Sequence, residues 1–302
     1  MSFALPLPFA LSGADSALPL VVIAAFLHAG WNLLSKRAAH VGPVFVFYST
    51  LIACVVYAPW AAYEIARGAV EWSWPVVGCI LASGLIHLGY SLVLQKGYQR
   101  APFSVVYPVA RGTGPMLSAF GGFLVLSEPA SLAGLFGLAG VVAGILLIAT
   151  NGRLDAFRAP GGRAGLGWGL ATGLWIAGYT VIDGYGVKAL AIPPVVLDWC
   201  GMVTRLFMLT PLALGAPGRG IAAMRGVWSL AVGVGLLSPL AYILVLGALG
   251  LGAPLSIVAP MREMSMMVGT LMGLFLLKED VGPGRLIGCA VLIGGVILLA
   301  RA

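Results

Sequence analysis

The chain has 302 residues, 60% of them hydrophobic and 9% charged, with a formal net charge of +7. Soluble domains carry about a quarter of their residues as charges, so this composition excludes an ordinary soluble enzyme or binding module. The positive balance is no nucleic-acid footprint either, because the basic residues are strung through many separate loops instead of gathering on one patch.

Apolar stretches of about 20 residues recur along the whole length, the pattern of a polytopic helical membrane protein; the ~10-residue alternating segments of a β-barrel are absent. In chain order they predict an all-α fold of ten transmembrane helices over 18–34, 43–63, 74–94, 102–126, 131–149, 165–182, 194–214, 227–246, 253–277 and 283–299. The first stretch, with Lys36 and Arg37 behind it, reads as a signal anchor that stays in the protein. It carries His28, Trp31, Asn32 and Ser35 at i, i+3, i+4 and i+7, one polar stripe on an apolar helix. In the third, His87, Tyr90, Ser91 and Gln95 make a second stripe. The fourth contains Tyr107 and Arg111, the latter between Pro108 and Pro115. The sixth carries Trp175 and Tyr179 on one face, the seventh Asp198 and Arg205, the eighth Ser238 and Tyr242, and the ninth Arg262 and Glu263.

Ionisable groups at bilayer depth cost about 2.5–3.5 kcal/mol each on insertion scales, so a face that carries them lines a hydrated cavity, not lipid. His28, Trp31, Asn32, His87, Tyr90, Tyr107, Arg111, Trp175, Tyr179, Tyr242, Arg262 and Glu263 are accordingly the candidate substrate-binding residues. Asp198 and Arg205 read as structural, and Trp60, Trp72, Trp74 and Trp228 as anchors at the membrane interface. Cys54, Cys79, Cys200 and Cys289 lie unpaired inside apolar segments and read as packing residues. Neither a P-loop nor metal-ligand spacing is present; no cofactor, no nucleic-acid partner and no enzymatic chemistry are expected.

The chain also repeats itself. Ala101-Pro-Phe-Ser-Val-Val-Tyr-Pro108 overlays Ala253-Pro-Leu-Ser-Ile-Val-Ala-Pro260 at five of eight positions. Further on, Glu128 matches Glu279, and the "AGWNLLS" beginning at Ala29 echoes the "AGYTVID" beginning at Ala177. This predicts two five-helix units, 1–150 and 151–302. An odd number of spans makes the second unit insert upside down, an architecture of secondary transporters with a binding site between the halves. In the same alignment Arg111 falls opposite Glu263, which predicts a central ion pair and a bent fourth helix at a cavity floor. Glu128 and Glu279 are expected to cap the fifth and tenth helices, and the glycines of those two helices to form close seams within a monomer or, alternatively, a homodimer.

With these segments, and with the glycine-rich "GLAGVVAGILLIA" and "GCAVLIGGVILLA", the sequence resembles the drug/metabolite transporter superfamily, specifically its EamA-type ten-helix members. The resemblance covers essentially the whole chain and implies export or exchange of amino acids, other small metabolites or drugs. Its first helix lacks the glutamate on which small multidrug relatives rely, and Arg111 and Arg262 suit a carboxylate or phosphate. A secondary transporter of small metabolites such as amino acids is therefore expected. The alternatives are proton-coupled efflux of lipophilic cations, and a lipid flippase or accessory subunit. Eleven loop Lys and Arg on one side against three on the other put both termini outside the cytoplasm, in a bacterial inner membrane.

Overall fold

The computed structural model describes residues 13–153, 155–214, 219–276 and 282–301. It is all-helical. The long elements are α1 (Gly13–Arg37), α2 (Pro43–Ala66), α3 (Trp74–Arg100), α4 (Phe103–Val125) and α5 (Leu132–Thr150), then a short α6 (Asp155–Arg158). They continue with α7 (Gly162–Lys188), α8 (Pro194–Leu214), a short α9 (Arg219–Ala223), α10 (Trp228–Gly250), α11 (Leu255–Met261), α12 (Met264–Leu276) and α13 (Pro283–Ala300). Among the described residues seven helices, α1, α2, α3, α5, α7, α10 and α13, are long and apolar enough to cross a membrane. Val55, Leu124, Phe136, Leu174, Phe207 and Phe275 are all more than 60% exposed. Such a coat of large apolar side chains suits lipid and not water.

Local sequence explains the helix ends. Ser73 and Ser131 are N-caps, each accepting a hydrogen bond from the backbone N–H three residues on, Val76 and Gly134. Asn151 ends α5 in the left-handed conformation (φ 53°), and its Oδ1 accepts from the Arg285 N–H, which ties that end to the start of α13. Glycine governs the tightest seam, between α5 and α13: a Cβ on Gly144 would lie 2.6 Å from Leu292 Cβ and 2.8 Å from Gly288 O. The two glycine-rich faces therefore bury each other within one chain. The other main pairings are α1 with α10, α3 with α7, α4 with α7 and α2 with α8.

One expectation changes. The 253–277 stretch is not one helix: it breaks between α11 and α12, and Arg262 and Glu263 occupy the break. Pro260 supplies no backbone donor, and the chain tightens into i→i+3 turns there, with Glu263 N–H bonded to Pro260 O and Met266 N–H to Glu263 O. The fourth helix, in contrast, continues unbroken past Pro108, Arg111 and Pro115. The chain thus breaks beside Glu263, the residue aligned with Arg111, and not within α4.

Candidate substrate-binding site

Arg111 sits in the first half of α4, about two turns from its start. Its Nη2 lies 2.6 Å from Glu263 Oε2, an ion pair, and donates a 3.3 Å hydrogen bond to Ser265 Oγ. Glu263 is fully buried, with 0% of its side chain exposed, and Arg262 Nε stands 3.7 Å from its other oxygen. The expected central pair therefore forms, with the helix break supplying the carboxylate. Such a charge in a low-dielectric interior is tolerable only because a cation faces it. Neither Arg111 Nε nor Arg262 Nε has a hydrogen-bond partner among the described residues.

Above this pair is a cavity of about 280 Å³, enclosed by α1, α4, α5, α12 and α13. It reaches the end of the bundle where α1, α5 and α12 finish and α4 and α13 begin. Its polar lining is Asn32, Tyr107, Arg111, Ser265, Thr270 and Arg285; Leu33, Phe103, Ile148, Met266 and Met272 give it apolar walls. Phe103 and Tyr107 stack at 5.0 Å between ring centroids, forming one flat aromatic side. Among the described lining residues there are two guanidinium groups and no carboxylate.

The candidate residues divide into groups. Asn32, Tyr107 and Arg111 line the cavity, and Arg262 and Glu263 stand behind its floor. His28 and Trp31 meet edge to face at 4.8 Å on α1, outside the lining. His87, Tyr90, Tyr179 and Tyr242 gather elsewhere, between α3, α7 and α10: His87 stacks on Tyr179 at 4.0 Å, and Tyr90 meets Tyr179 at 5.7 Å. Trp175 belongs to neither group; its ring packs over Gly89 of α3 and is 37% exposed. Asp198 and Arg205 of α8 form no ion pair with each other.

Sequence reading missed four polar residues here. Ser265 and Thr270 share the cavity face with Arg111 but were hidden in an apolar run. Arg285 is one of the eleven loop cations of the charge count, although a cation in the first turn of α13 opposes the helix dipole and so signals another use. Asp183 fell one residue beyond the expected end of the sixth helix, whereas α7 runs on to Lys188. Its place four residues after Tyr179, on the same face, was the available signal.

The opposite end of the bundle is built differently. The turn after α4 passes through Ser127 in the left-handed region (φ 54°) and swings Glu128 back across the bundle. Glu128 does not cap α5, as the sequence suggested; Ser131 does. Instead Glu128 accepts hydrogen bonds from the first N–H groups of α11, Leu255 (2.6 Å) and Ser256 (2.8 Å), and pairs with Lys188 Nζ at 2.8 Å. Lys188 also donates to Ala253 O at 3.1 Å. Burial opposes ionisation of Glu128, but the Lys188 ammonium and the two backbone N–H groups outweigh it and hold the carboxyl below its ordinary range. Glu279, the aligned residue, lies outside the described residues.

A helical membrane protein with a buried ion pair under a polar cavity belongs among the polytopic carriers by class. Residues 15–150 match the EamA-like transporter family. Multidrug resistance protein EbrB of Bacillus subtilis (strain 168) is 35% identical over 87 residues, 28% of this chain and 68% of EbrB. A crystal structure of a protein 21% identical superposes with a TM-score of 0.71, covering 95% of this chain and 98% of the other, and shares its fold. The chain belongs to the drug/metabolite transporter superfamily, within its EamA-like family, and is an integral membrane transporter.

Proposed function

We propose that the chain is a secondary transporter of small metabolites bearing a carboxylate, amino acids foremost, working by alternating access. The observation that carries this reading is the cavity itself, with Arg111 and Arg285 on its described lining and no carboxylate beside them. Guanidinium groups recognise carboxylates through paired, charge-assisted hydrogen bonds. The Phe103–Tyr107 face would accept an apolar side chain. On arrival a substrate carboxylate would compete with Glu263 for Arg111, which links binding to the contact between α4 and the α11–α12 break.

In this reading residues 1–150 and 151–302 are two inverted five-helix units that rock against each other. The aligned segments support it, as does the packing: exchanging the units turns the α1–α10 pairing into the α7–α3 pairing and leaves α5 on α13. The charge bias supports a cytoplasmic cavity end in a bacterial inner membrane, with both termini non-cytoplasmic. The Glu128–Lys188 latch then closes the outer side, and the protein is seen facing inward. Because the α5 and α13 glycine faces bury each other, a monomer is the working unit.

A second reading, efflux of lipophilic cations, is favoured by one observation: the name of EbrB, a multidrug resistance protein. Ligand-dependent thermal stability of the purified protein separates the two. Carboxylate-bearing metabolites should stabilise the wild type, and Arg111→Ala should lose the effect. Stabilisation by lipophilic cations alone, lost in Glu263→Gln, would replace the first reading with the second.

A further inference from the structure

The four aromatic and histidine residues that the cavity leaves out surround a carboxyl group. Asp183 is 1% exposed, deep between α3, α7 and α10. Tyr242 donates to its Oδ2 at 2.5 Å, and its Oδ1 has no hydrogen-bond partner. Three other carboxylates pair with a cation: Glu263 with Arg111 at 2.6 Å, Glu128 with Lys188 at 2.8 Å and Glu64 with Arg67. Asp198, 7% exposed and with an unpartnered Oδ2, has none among the described residues, but it also lacks the histidine and tyrosine that face Asp183. Within ion-pair distance of Asp183, among the described residues, there is only His87, whose Nε2 is 3.9 Å from Oδ2.

A buried carboxylate with no cation and an orphaned oxygen costs several kcal/mol, a cost that a proton on the orphaned oxygen removes. The rings of His87, Tyr179 and Tyr242 stand around the group, and these surroundings suit a proton. We propose that Asp183 is the carboxyl that binds and releases a proton during the transport cycle. This rests on the reading of the chain as a secondary transporter. The step is a simple one: a water-borne proton joins Oδ1 to give the neutral acid, and leaves from it again to water at the other end of the cycle.

His87 is the ionisable ring beside Asp183, on its Oδ2 side. Its Nδ1 lies 3.0 Å from Ser83 O, a contact that requires the hydrogen on Nδ1. In the neutral ring Nε2 is then the free acceptor, and it faces Asp183. The stack on Tyr179 fixes that orientation. Four neighbouring elements contribute groups to the local field: the Ser83 hydroxyl, Cys79 and His87 from α3, Tyr242 from α10, Asp198 and Arg205 from α8, and Arg262 from the α11–α12 break. None of the arginines comes within 4.0 Å of Asp183. Because α3 precedes residue 150 and α7 and α10 follow it, a change of charge here acts on the seam between the two units of the chain.

The test has two independent readings on the full chain. Infrared difference spectra between acid and neutral pH should show a carboxylic-acid C=O band that disappears in Asp183→Asn, persists in Glu263→Gln, and shifts in Tyr242→Phe, which loses the hydrogen bond. A band unaffected by both Asp183→Asn and Tyr242→Phe overturns the proposal, and Tyr242→Phe decides it alone should Asp183→Asn not fold. In liposomes, a proton gradient should stimulate uptake of radiolabelled amino acids or ethidium several-fold in the wild type. Asp183→Asn should lose that stimulation and keep gradient-independent exchange. Stimulation that survives in Asp183→Asn overturns the coupling role and leaves the transporter reading standing. If the wild type moves neither probe, the substrate reading fails, while the infrared band still decides the proton site.

Discussion

The two ends of the bundle use the same ingredients, a carboxylate, a cation and a helix start, to opposite effect. At the latch end Glu128 is satisfied completely, by Lys188 and by the first two N–H groups of α11, and the helices close over it. At the cavity end Arg111 is only partly satisfied: Glu263 takes one side of the guanidinium, and Nε is left without a partner. Complete satisfaction makes a seal. Incomplete satisfaction beside an open space makes a place for a ligand, because an arriving carboxylate gains what the protein leaves unpaired.

The contrast can be broken from either side. The largest effect is expected at the cavity floor. Arg111→Ala removes the nearer of the two cations from the buried Glu263, leaves Arg262 at 3.7 Å, and should cost up to about 3–5 kcal/mol, seen as a large drop in melting temperature; Glu263→Gln, which removes the buried charge, should cost less. Equal melting temperatures for Arg111→Ala and the wild type would mean that the pair does not hold the floor.

Next comes Gly122→Ala. A Cβ there would meet Glu128 Oε2 at 2.6 Å and Ser256 N at 3.1 Å, so the latch carboxylate must move. A loss of about 1–3 kcal/mol is expected, the usual range for overpacking. Combining it with Glu128→Gln should give less than the sum of the two losses, since both act on one contact.

The latch should also respond to acid. Glu128 titrates below its ordinary value when folded, so its contribution is complete above the unfolded value of about 4.3 and fades as the pH falls through the lower folded value. The stability gap between wild type and Glu128→Gln should therefore be level at neutral pH and close below about pH 4. A gap that widens on acidification contradicts the assignment. Smallest of all in stability is Arg285→Gln, expected within about 0.5 kcal/mol because the side chain lines open space. Its signature is a weakened response to carboxylate ligands, read in the same thermal assay.

Hydrophobic periodicity made the helices legible, since lipid exposure forces long apolar runs whatever the tertiary contacts. The Arg111–Glu263 pair was legible too, through the alignment of 101–108 with 253–260. The helix break at Arg262 was not, because both aligned segments carry the same prolines and only tertiary contact decides which one opens. Glu128 was misassigned for a related reason. Sequence proximity pointed to α5, while the left-handed turn at Ser127 sends the side chain to a helix more than a hundred residues away. Asp183 lies just beyond a hydropathy boundary, and a helical face alone does not say whether Trp175 meets a cavity or, as here, a neighbouring glycine.

The most direct test of the central claim uses Thr270→Cys, on the cavity wall, with Cys54, Cys79, Cys200 and Cys289 replaced. The rate of its modification by a membrane-impermeant maleimide would be measured with and without amino acids. The account predicts ready modification, slowed by a carboxylate-bearing ligand, with the slowing lost when Arg111 is changed to alanine. A cysteine that never reacts, or one that no carboxylate protects, would contradict it.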